Sequence, residues 1–358
     1  MKKTAILIFL FIYAFAKSQS VSFIAVGDNL IHSKIIEAGY IESNKTYIFD
    51  DLYANFSEKI ASTDIKIINQ ETILIKDSKK YSGYPNFGSP FEIGEAVKKA
   101  GFNIISHATN HTLDKGEDGI LDSIEFYSKF DDIALLGIHN SQDDSEMISI
   151  VKKNGVKIAF LNYTYGLNGH KMPKDKEYLV DLLDDSDKIV RSLKSAKKNA
   201  DFIVVLPHWG IEYTHTPTKS QKDMAKFFAD NGADMIIGTH SHVIQPLEFI
   251  ASDDNRSVPC FYSLGNFISN QDQPVRMLGA MAKFEIIKDE NTTWIKNIEA
   301  VPIITHIQRY SQDFSVYFLQ DYPVILEQTH RLRRFFGKEM SVEKLKSIWN
   351  SVFTNFQI

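Results

Sequence analysis

Short apolar runs alternate with amphipathic stretches along most of the chain. Six runs have the length and continuous apolar character of strands that are buried on both faces of a sheet, and they span residues 21–27, 64–69, 102–107, 133–138, 202–208 and 234–239. Between them, apolar residues recur at helical spacing in 50–61, 118–130 and 218–231. This alternation predicts parallel strands with helices packed on the faces of the sheet.

Two segments depart from that rhythm. Residues 148–163 contain two strand-like runs around Asn154-Gly155, which is the strongest short hairpin signal. Residues 280–301 predict a second hairpin around Asp289–Asn291. Antiparallel strands therefore join the parallel ones, and the pattern predicts an α/β sandwich of two sheets with helices outside. The charged tail from about Tyr317 to Ile358 is predicted to be helical.

The first twenty residues have the layout of a secretory signal peptide. Two lysines precede an apolar run from Ala5 to Ala16, which ends in a small-x-small cleavage pattern. The run is shorter than the ~18 residues that span a bilayer. We therefore expect cleavage within 16–20 and an extracytoplasmic (periplasmic or secreted) mature protein, with an uncleaved N-terminal membrane anchor as the alternative.

Composition excludes several classes of protein. The 358 residues are 24% charged and 44% hydrophobic, which argues against disorder and coiled coil. The net charge of −5 and the absence of a long basic run argue against a nucleic-acid partner. The single cysteine, Cys260, cannot form an internal disulfide and lies in an apolar run typical of a core.

Polar residues with acid–base or metal-binding chemistry follow five of the predicted strands. In chain order they are Asp28 and His32, Asn69 and Glu71, His107, Asn110, His111 and Asp114, His208 and Glu212, and His240 and His242. Ligands of α/β sheets bind outside the carboxyl ends of strands, and parallel strands bring those ends to one edge. We therefore expect the five loops to converge on one site.

Carboxylates combined with imidazoles suit Mn, Zn or Fe. Two such metals ~3.5–4 Å apart need a bridging carboxylate, and a histidine that is not a ligand can protonate a leaving group. His240 and His242 at a strand end point both rings to one side, but a His-x-His pair alone is a weak motif and could be histidines on a surface loop. Asp28 and Glu71 could instead be the acid pair of a carbohydrate-active enzyme, but that interpretation leaves the motif histidines unexplained.

The remaining histidines are interpreted as surface or core residues, and they are His139, His170, His215, His306 and His330. His107 is expected to be structural or to orient a ligand.

The chain resembles the CapA-like family of poly-γ-glutamate capsule biosynthesis proteins. The resemblance is carried by FIAVGDNLIH, NQE, AGFNIISHATNHTLDKGEDGI, VVLPHWGIEY, NGADMIIGTHSHVIQPLE and FYSLGNFI, over roughly residues 21 to 285. It implies a calcineurin-like metallophosphoesterase fold, a four-layer α/β/β/α sandwich of two mixed sheets. It also implies an extracytoplasmic role linked to a cell-surface polymer, alongside membrane-bound capsule synthesis proteins.

The resemblance also implies a role for each motif residue. The implied metal ligands are Asp28, Glu71 as the bridging carboxylate, Asn110, His208, His240 and His242, with His111 as the catalytic histidine beside Asp28. The first motif is Gly-Asp where the superfamily has Asp-x-His, and His32 could supply the missing ligand. Asn69, Asp114, Glu212 and Asn266 are expected to support the ligands or to contact substrate.

Two classes of function follow from these residues. One is a hydrolase that uses one or two divalent ions, Mn, Zn or Fe, against a phosphoester or a cell-surface polymer. The other is a non-catalytic component of a polymer assembly or export machine. In both cases we expect one domain over 21–316, with residues 317–358 as a helical extension packed on it.

Overall fold

The structure is a computed structural model that describes residues 18–290, 292–311 and 313–356. The predicted signal peptide therefore lies outside the described residues, except for 18–20. Residues Gln19 and Ser20 already pair in the first strand, opposite Lys288 and Ile287.

The strands are β1 (Gln19–Asn29), β2 (Tyr40–Ile41), β3 (Thr46–Tyr47), β4 (Ile65–Gln70), β5 (Ile104–Ser106), β6 (Ala134–Leu136), β7 (Ser149–Lys153), β8 (Val156–Thr164), β9 (Phe202–His208), β10 (Met235–Ile237), β11 (Ile244–Ala251), β12 (Ser257–Leu264), β13 (Asn266–Ile268), β14 (Leu278–Lys288), β15 (Thr293–Ile307) and β16 (Phe314–Phe318). The helices are α1 (Ser33–Gly39), α2 (Ala54–Ile60), α3 (Phe91–Lys99), α4 (Gly116–Tyr127), α5 (Gln142–Ser145), α6 (Ser186–Asn199), α7 (Lys219–Asp230), α8 (Val324–Thr329), α9 (Arg333–Phe336) and α10 (Val342–Val352).

Two mixed sheets form the centre of the fold. The larger has the order β16-β15-β14-β1-β4-β5-β6, with β13 also paired to β1, and β1, β4, β5 and β6 are parallel. The smaller has the order β11-β12-β10-β9-β8-β7, in which β12, β10, β9 and β8 are parallel. Both sheets therefore gather the carboxyl ends of parallel strands at one edge.

Alternating side chains of the smaller sheet serve two cores. On β9, Val204 and Leu206 join the core between the sheets, whereas Ile203 and Val205 point the opposite way, into the core that contains α6 and α7. This period of two is what a strand with both faces covered requires.

Helices also cover the outer face of the larger sheet. Phe56 of α2 packs against Phe102, Phe267 and Phe318, with ring centroids 6.4, 5.0 and 4.9 Å away. The layers are therefore helix, sheet, sheet, helix, and the predicted four-layer α/β/β/α sandwich is confirmed.

Both predicted hairpins are present. Asn154 and Gly155 connect β7 to β8 with φ of 48° and 85°, as a tight hairpin turn requires. The longer β14–β15 hairpin forms one side of the larger sheet. The predicted helix over 50–61 begins later, because a 3-10 turn at Asp50–Leu52 precedes α2.

The C-terminal region differs from the prediction in one respect. The strand β16 crosses the boundary that the sequence places between residues 316 and 317. Phe314, Val316 and Phe318 are buried at alternate positions, so this segment completes the larger sheet before the helices α8 to α10 begin. Within the described ranges, no helix combines the length and the apolar character needed to cross a bilayer.

Candidate metal centre

The predicted site residues lie at the carboxyl edge of both sheets. Asp28 is the second-last residue of β1, and Glu71 directly follows β4 in the larger sheet. His208 ends β9 in the smaller sheet, and the loop after β10 carries His240 and His242. Since all four strands are parallel within their sheets, the side chains converge where the two sheets meet.

One group of possible ligands contains Asp28, Glu71 and His242. One ligand atom of each lies within 4.8 Å of the others. His242 Nδ1 is 3.3 Å from Asp28 Oδ2, and His242 Nε2 is 3.8 Å from Glu71 Oε1. All three residues are buried. This donor set of two carboxylates and an imidazole suits a divalent transition metal.

A second group contains Glu71, His208 and His240, again within 4.8 Å of one another. His208 Nε2 is 3.8 Å from Glu71 Oε1 and 2.8 Å from Asn110 Oδ1. The rings of His208 and His240 have centroids 4.8 Å apart. Glu71 is common to both groups, so a single carboxylate lies between two sets of ligands.

Buried atoms without partners test whether these residues fit a metal. Both carboxylate oxygens of Glu71 and Nδ1 of His240 are buried, and none has a hydrogen-bond partner among the described residues. A buried unpaired polar atom usually costs about 1–3 kcal/mol, and more if it is charged. Metal ions between the two groups would satisfy all three atoms, so the residues fit divalent ions.

In the group of Glu71, His208 and His240, both histidines have the protonation state that metal binding requires. Burial lowers the pKa of His208 and His240 well below the usual value, and neighbouring imidazolium charges add to the effect. Both rings are therefore neutral and offer a lone pair at neutral pH.

In the absence of a cation, the group of Asp28, Glu71 and His242 holds a proton. Burial raises the pKa of Glu71 well above its usual range, and the charge of Asp28 raises it further. Burial alone would lower the pKa of His242, but Glu71 and Asp28 outweigh it and raise this pKa to about 9. A bound divalent ion would replace that proton.

The loop that carries the two histidines is strained. His240 has φ of 98° and His242 has φ of 56°, in the left-handed region that residues with a Cβ rarely adopt. Each such residue costs on the order of 1–3 kcal/mol and occurs mostly at functional sites. The backbone N–H of His240 also faces Asp28, 3.3 Å from Oδ2. The loop conformation therefore aims both rings at the carboxylates at the expense of stability.

A close backbone approach explains the glycine before Asp28. A Cβ on Gly27 would lie 1.8 Å from the carbonyl oxygen of Gly265. The N–H of Asp28 donates to that same oxygen at 2.9 Å. The GDN and LGN motifs thus form one contact, which places Asp28 beside Asn266 in the register of β1 and β13.

His111 forms a pair with Asp114 beside the two ligand groups. Its Nδ1 is 2.7 Å from Asp114 Oδ2, and the ring packs edge-on against Phe87 at 4.6 Å. The Phe87 N–H also donates to Asp114 Oδ2 at 2.7 Å. With Nδ1 bonded to the carboxylate, the other ring nitrogen is left to exchange a proton.

The supporting residues lie around these groups as the sequence predicts them to. Asn69 donates to Asp28 Oδ1 at 2.8 Å, and Asn266 Oδ1 is 3.1 Å from His242 Nδ1. Glu212 is half-exposed at the rim, with Oε1 4.0 Å from His242 Nε2. Their assigned roles remain predictions.

His32 is not part of either ligand group. Its Nδ1 lies 3.1 Å from the Leu30 carbonyl oxygen and 3.3 Å from the Asn270 nitrogen, and its ring contacts Phe87. Burial lowers its pKa to about 4. The structure therefore places His32 next to the centre without bringing it among the carboxylates, and Glu71 and His242 occupy the positions beside Asp28.

Three residues near the centre are absent from the sequence prediction. Thr239 Oγ1 is 3.0 Å from His208 Nδ1, Tyr165 has its ring 4.5 Å from that of His240, and the Tyr213 ring is 5.9 Å from His242. Tyr165 follows the parallel strand β8, so the rule about strand ends could have found it. Thr239 lies at the end of the predicted run 234–239, so the same rule could have found it, whereas Tyr213 has no comparable signal.

The fold brings together two groups of buried residues that could hold divalent ions. Comparison with known families is more specific. The profile of "Bacterial capsule synthesis protein PGA_cap" matches residues 22–271, and the chain belongs to this family.

Curated relatives agree with that assignment. The chain is 33% identical over 213 residues to "PGA biosynthesis protein CapA" of Bacillus subtilis, which covers 59% of this chain and 53% of the relative. It is 32% identical over 233 residues to "Capsule biosynthesis protein CapA" of Bacillus anthracis, covering 63% and 55%. The chain spans about half the length of the curated relatives it matches.

Solved structures to which the chain is similar include the calcineurin-like phosphoesterase YfkN from Bacillus subtilis, with a TM-score of 0.44, 15% identity, and coverage of 92% of this chain and 100% of that one. They also include a putative 5'-nucleotidase from Staphylococcus aureus, with a TM-score of 0.48, 16% identity, and coverage of 79% and 54%.

Proposed function

We propose that the protein is an extracytoplasmic, metal-dependent phosphoesterase that acts in the biosynthesis of a capsule or a related cell-surface polymer. The observation that carries the proposal is Glu71. It is fully buried, both its oxygens lack partners among the described residues, and it is common to two groups of ligands. A carboxylate shared in this way is what a pair of ions needs. The cell-surface setting is supported by the family and by the names of its curated relatives.

Each residue then has a defined part. Asp28, Glu71 and His242 would hold one ion, and Glu71, His208 and His240, with Asn110 nearby, would hold a second. Such ions, of which Mn, Zn and Fe suit the donors best, supply Lewis acidity toward a phosphoryl oxygen and water.

The chain itself supplies the proton. Asp114 accepts the Nδ1–H of His111 and fixes the tautomer, so His111 Nε2 is the atom that would protonate the departing oxygen of the ester. Phe87 and the N–H that it donates to Asp114 hold the pair in place. Loss of this proton transfer typically lowers kcat by about 10²–10⁴-fold.

The test is hydrolysis of phosphomonoester and phosphodiester probes by the full chain in the presence of Mn. We expect activity in the wild type and in a His215→Asn control, whose histidine bonds the Ile244 carbonyl and belongs to neither group of ligands. We expect His111→Asn to lose activity while it retains metal, and Glu71→Gln to lose metal. A protein that binds metal but hydrolyses none of the probes with Mn, Zn or Fe would instead support the non-catalytic role in polymer assembly.

A further inference from the structure

The guanidinium of Arg276 lies near the two groups of metal ligands, and one of its nitrogens has no hydrogen-bond partner among the described residues. Arg276 belongs to a 3-10 turn at Pro274–Met277, and its guanidinium lies 3.6 Å above the centroid of the Tyr213 ring. Its Nε is buried and has no hydrogen-bond partner among the described residues. Its one carboxylate contact within the described part of the chain is from Nη1 to Asp272 Oδ1, at 3.3 Å, and the Asp272 side chain is 79% exposed.

Arg276 is held in this position by groups that also contact His242. Asn266 donates to the Arg276 carbonyl at 3.0 Å and has its Oδ1 3.1 Å from His242 Nδ1. Tyr213 has its ring 5.9 Å from His242 and donates its N–H to the carbonyl of Ser241 at 2.8 Å. Asn266 and Tyr213 therefore each contact both Arg276 and His242.

The conformation of Tyr213 is strained. Its φ is 65°, which costs on the order of 1–3 kcal/mol for a residue with a Cβ. The ring contacts both groups, since its centroid lies 3.6 Å from the Arg276 guanidinium and 5.9 Å from that of the His242 ring. The planar donors of a guanidinium match the oxygens of a carboxylate or a phosphate.

A second guanidinium, that of Arg331, lies within electrostatic range of Asp272, the carboxylate that Arg276 contacts. Arg331 is half-buried, and its side chain forms no hydrogen bond or ion pair among the described residues. Burial lowers the pKa of His32, and the positive charge of Arg331 adds to this effect. Burial also lowers the pKa of Arg331, whereas the negative charge of Asp272 raises it. Glu212 supplies negative charge nearby, with its Oε1 4.0 Å from His242 Nε2. Burial and this carboxylate raise the pKa of Tyr213, so Glu212 and Arg276 both border the Tyr213 ring.

We propose that Arg276, held against Tyr213, forms a subsite for a carboxylate or phosphate group that the substrate carries in addition to its reacting phosphoryl group. The inference rests on the proposed hydrolase function, since it narrows the substrates to phosphoesters with a second anionic group. Arg276 and Arg331 both lie beyond residues 22–271, the part of the chain that the family profile matches.

Arg309 is a matched control within the same chain. Its guanidinium also lies over a tyrosine ring, that of Tyr310 at 5.2 Å, and its Nε is also buried without a partner among the described residues. It follows β15, and no contact joins it to the metal ligands among those residues. An anion that binds the subsite should affect Arg276 and leave Arg309 unchanged, whereas non-specific screening should affect both.

The experiment is an NMR titration of the arginine Nε–Hε signals in the full chain without added metal, using glutarate and inorganic phosphate in separate samples. We expect the Arg276 signal, assigned by its loss in Arg276→Lys, to shift saturably with at least one anion while the Arg309 signal stays in place. Asp272→Asn should tighten binding several-fold, because it removes the competing carboxylate.

A shift with glutarate only assigns the subsite to carboxylates, and a shift with phosphate only assigns it to phosphate groups. No shift with either anion, or equal shifts of Arg276 and Arg309, would overturn the proposal. Because no metal or turnover is involved, failure of the hydrolase assay leaves this result interpretable. Conversely, a hydrolase whose Arg276 signal is unmoved keeps the proposed function and loses only the subsite.

Discussion

Each of the two histidines in the Thr-His-Ser-His turn has a backbone conformation that orients its ring toward the carboxylates but destabilises the fold. His240 and His242 both have positive φ, whereas His208 extends the strand β9 with ordinary strand pairing. A glycine would relieve the strain at the first two positions and would only loosen the chain at the third.

We predict that His240→Gly is more stable than His240→Ala by about 1 kcal/mol in the absence of metal, because glycine adopts positive φ without a steric penalty. At His208 the order should reverse, with glycine about 0.5–1 kcal/mol less stable than alanine, since glycine loses more conformational freedom when it is fixed in an extended strand. Urea unfolding of the four variants measures both differences. Equal stabilities of the His240 pair would mean that the turn is not strained.

The sequence predicts the residues of the site better than their arrangement. Strand ends identify Asp28, Glu71, His208, His240 and His242, because parallel strands deliver their ends to one edge. The same rule cannot show that Glu71 lies between two ligand groups or that His32 bonds its own loop, since both depend on side-chain packing across the two sheets. Arg276 is beyond such reasoning, because its neighbour Tyr213 is distant in the sequence.

At the scale of elements, one buried amide ties the two sheets together beneath the site. Asn162 of β8 accepts the N–H groups of His107 and Ala108 at 2.9 and 2.7 Å, and it donates to the Leu206 carbonyl at 2.7 Å. The loop that carries Asn110 is thus hydrogen-bonded to the smaller sheet as well as connected to β5 of the larger sheet.

We predict that Asn162→Ala lowers the free energy of unfolding by about 2–4 kcal/mol, because it leaves buried backbone groups unpaired. The amides of His107 and Ala108 should also exchange faster in hydrogen-exchange measurements. Asn199→Ala is the matched control, since Asn199 makes an exposed bond within its own helix to Ser195. An Asn162 variant as stable as this control would contradict the account.

The C-terminal helices dock on β15 through a buried histidine. His330 Nε2 is 3.2 Å from the Thr305 carbonyl, and its Nδ1 accepts the Leu332 N–H at 3.0 Å. Burial and the charge of the adjacent His306 together lower its pKa to about 3. A histidine with a depressed pKa stabilises the fold fully above its unfolded pKa of ~6.5 and loses that contribution as the pH falls.

We therefore predict that the wild type loses up to about 2 kcal/mol more stability than His330→Gln between pH 7 and pH 5, because only the wild type must keep this imidazole neutral. Urea unfolding at the two pH values gives the comparison. His170→Gln, at an exposed histidine, should behave as the wild type does. Identical pH sensitivity in all three proteins would show that His330 does not link folding to pH.

For the molecule as a whole, hydrophobic periodicity predicts the layers and both hairpins, because each strand must satisfy two faces. It misses β16, since a five-residue strand followed by charged helices resembles the start of a helical tail until its partner β15 is known. The two sheets then matter together, because neither alone supplies both Asp28 and His208, and Glu71 lies where they meet.

The most direct test of that arrangement is the metal content of the purified full chain, measured by mass spectrometry after loading with Mn or Zn and removal of free ions. We predict two ions in the wild type and in a His215→Ala control, one in His242→Ala, one in His240→Ala and none in Glu71→Gln, because only Glu71 belongs to both groups. A Glu71→Gln protein that retains as much metal as the wild type would contradict the account.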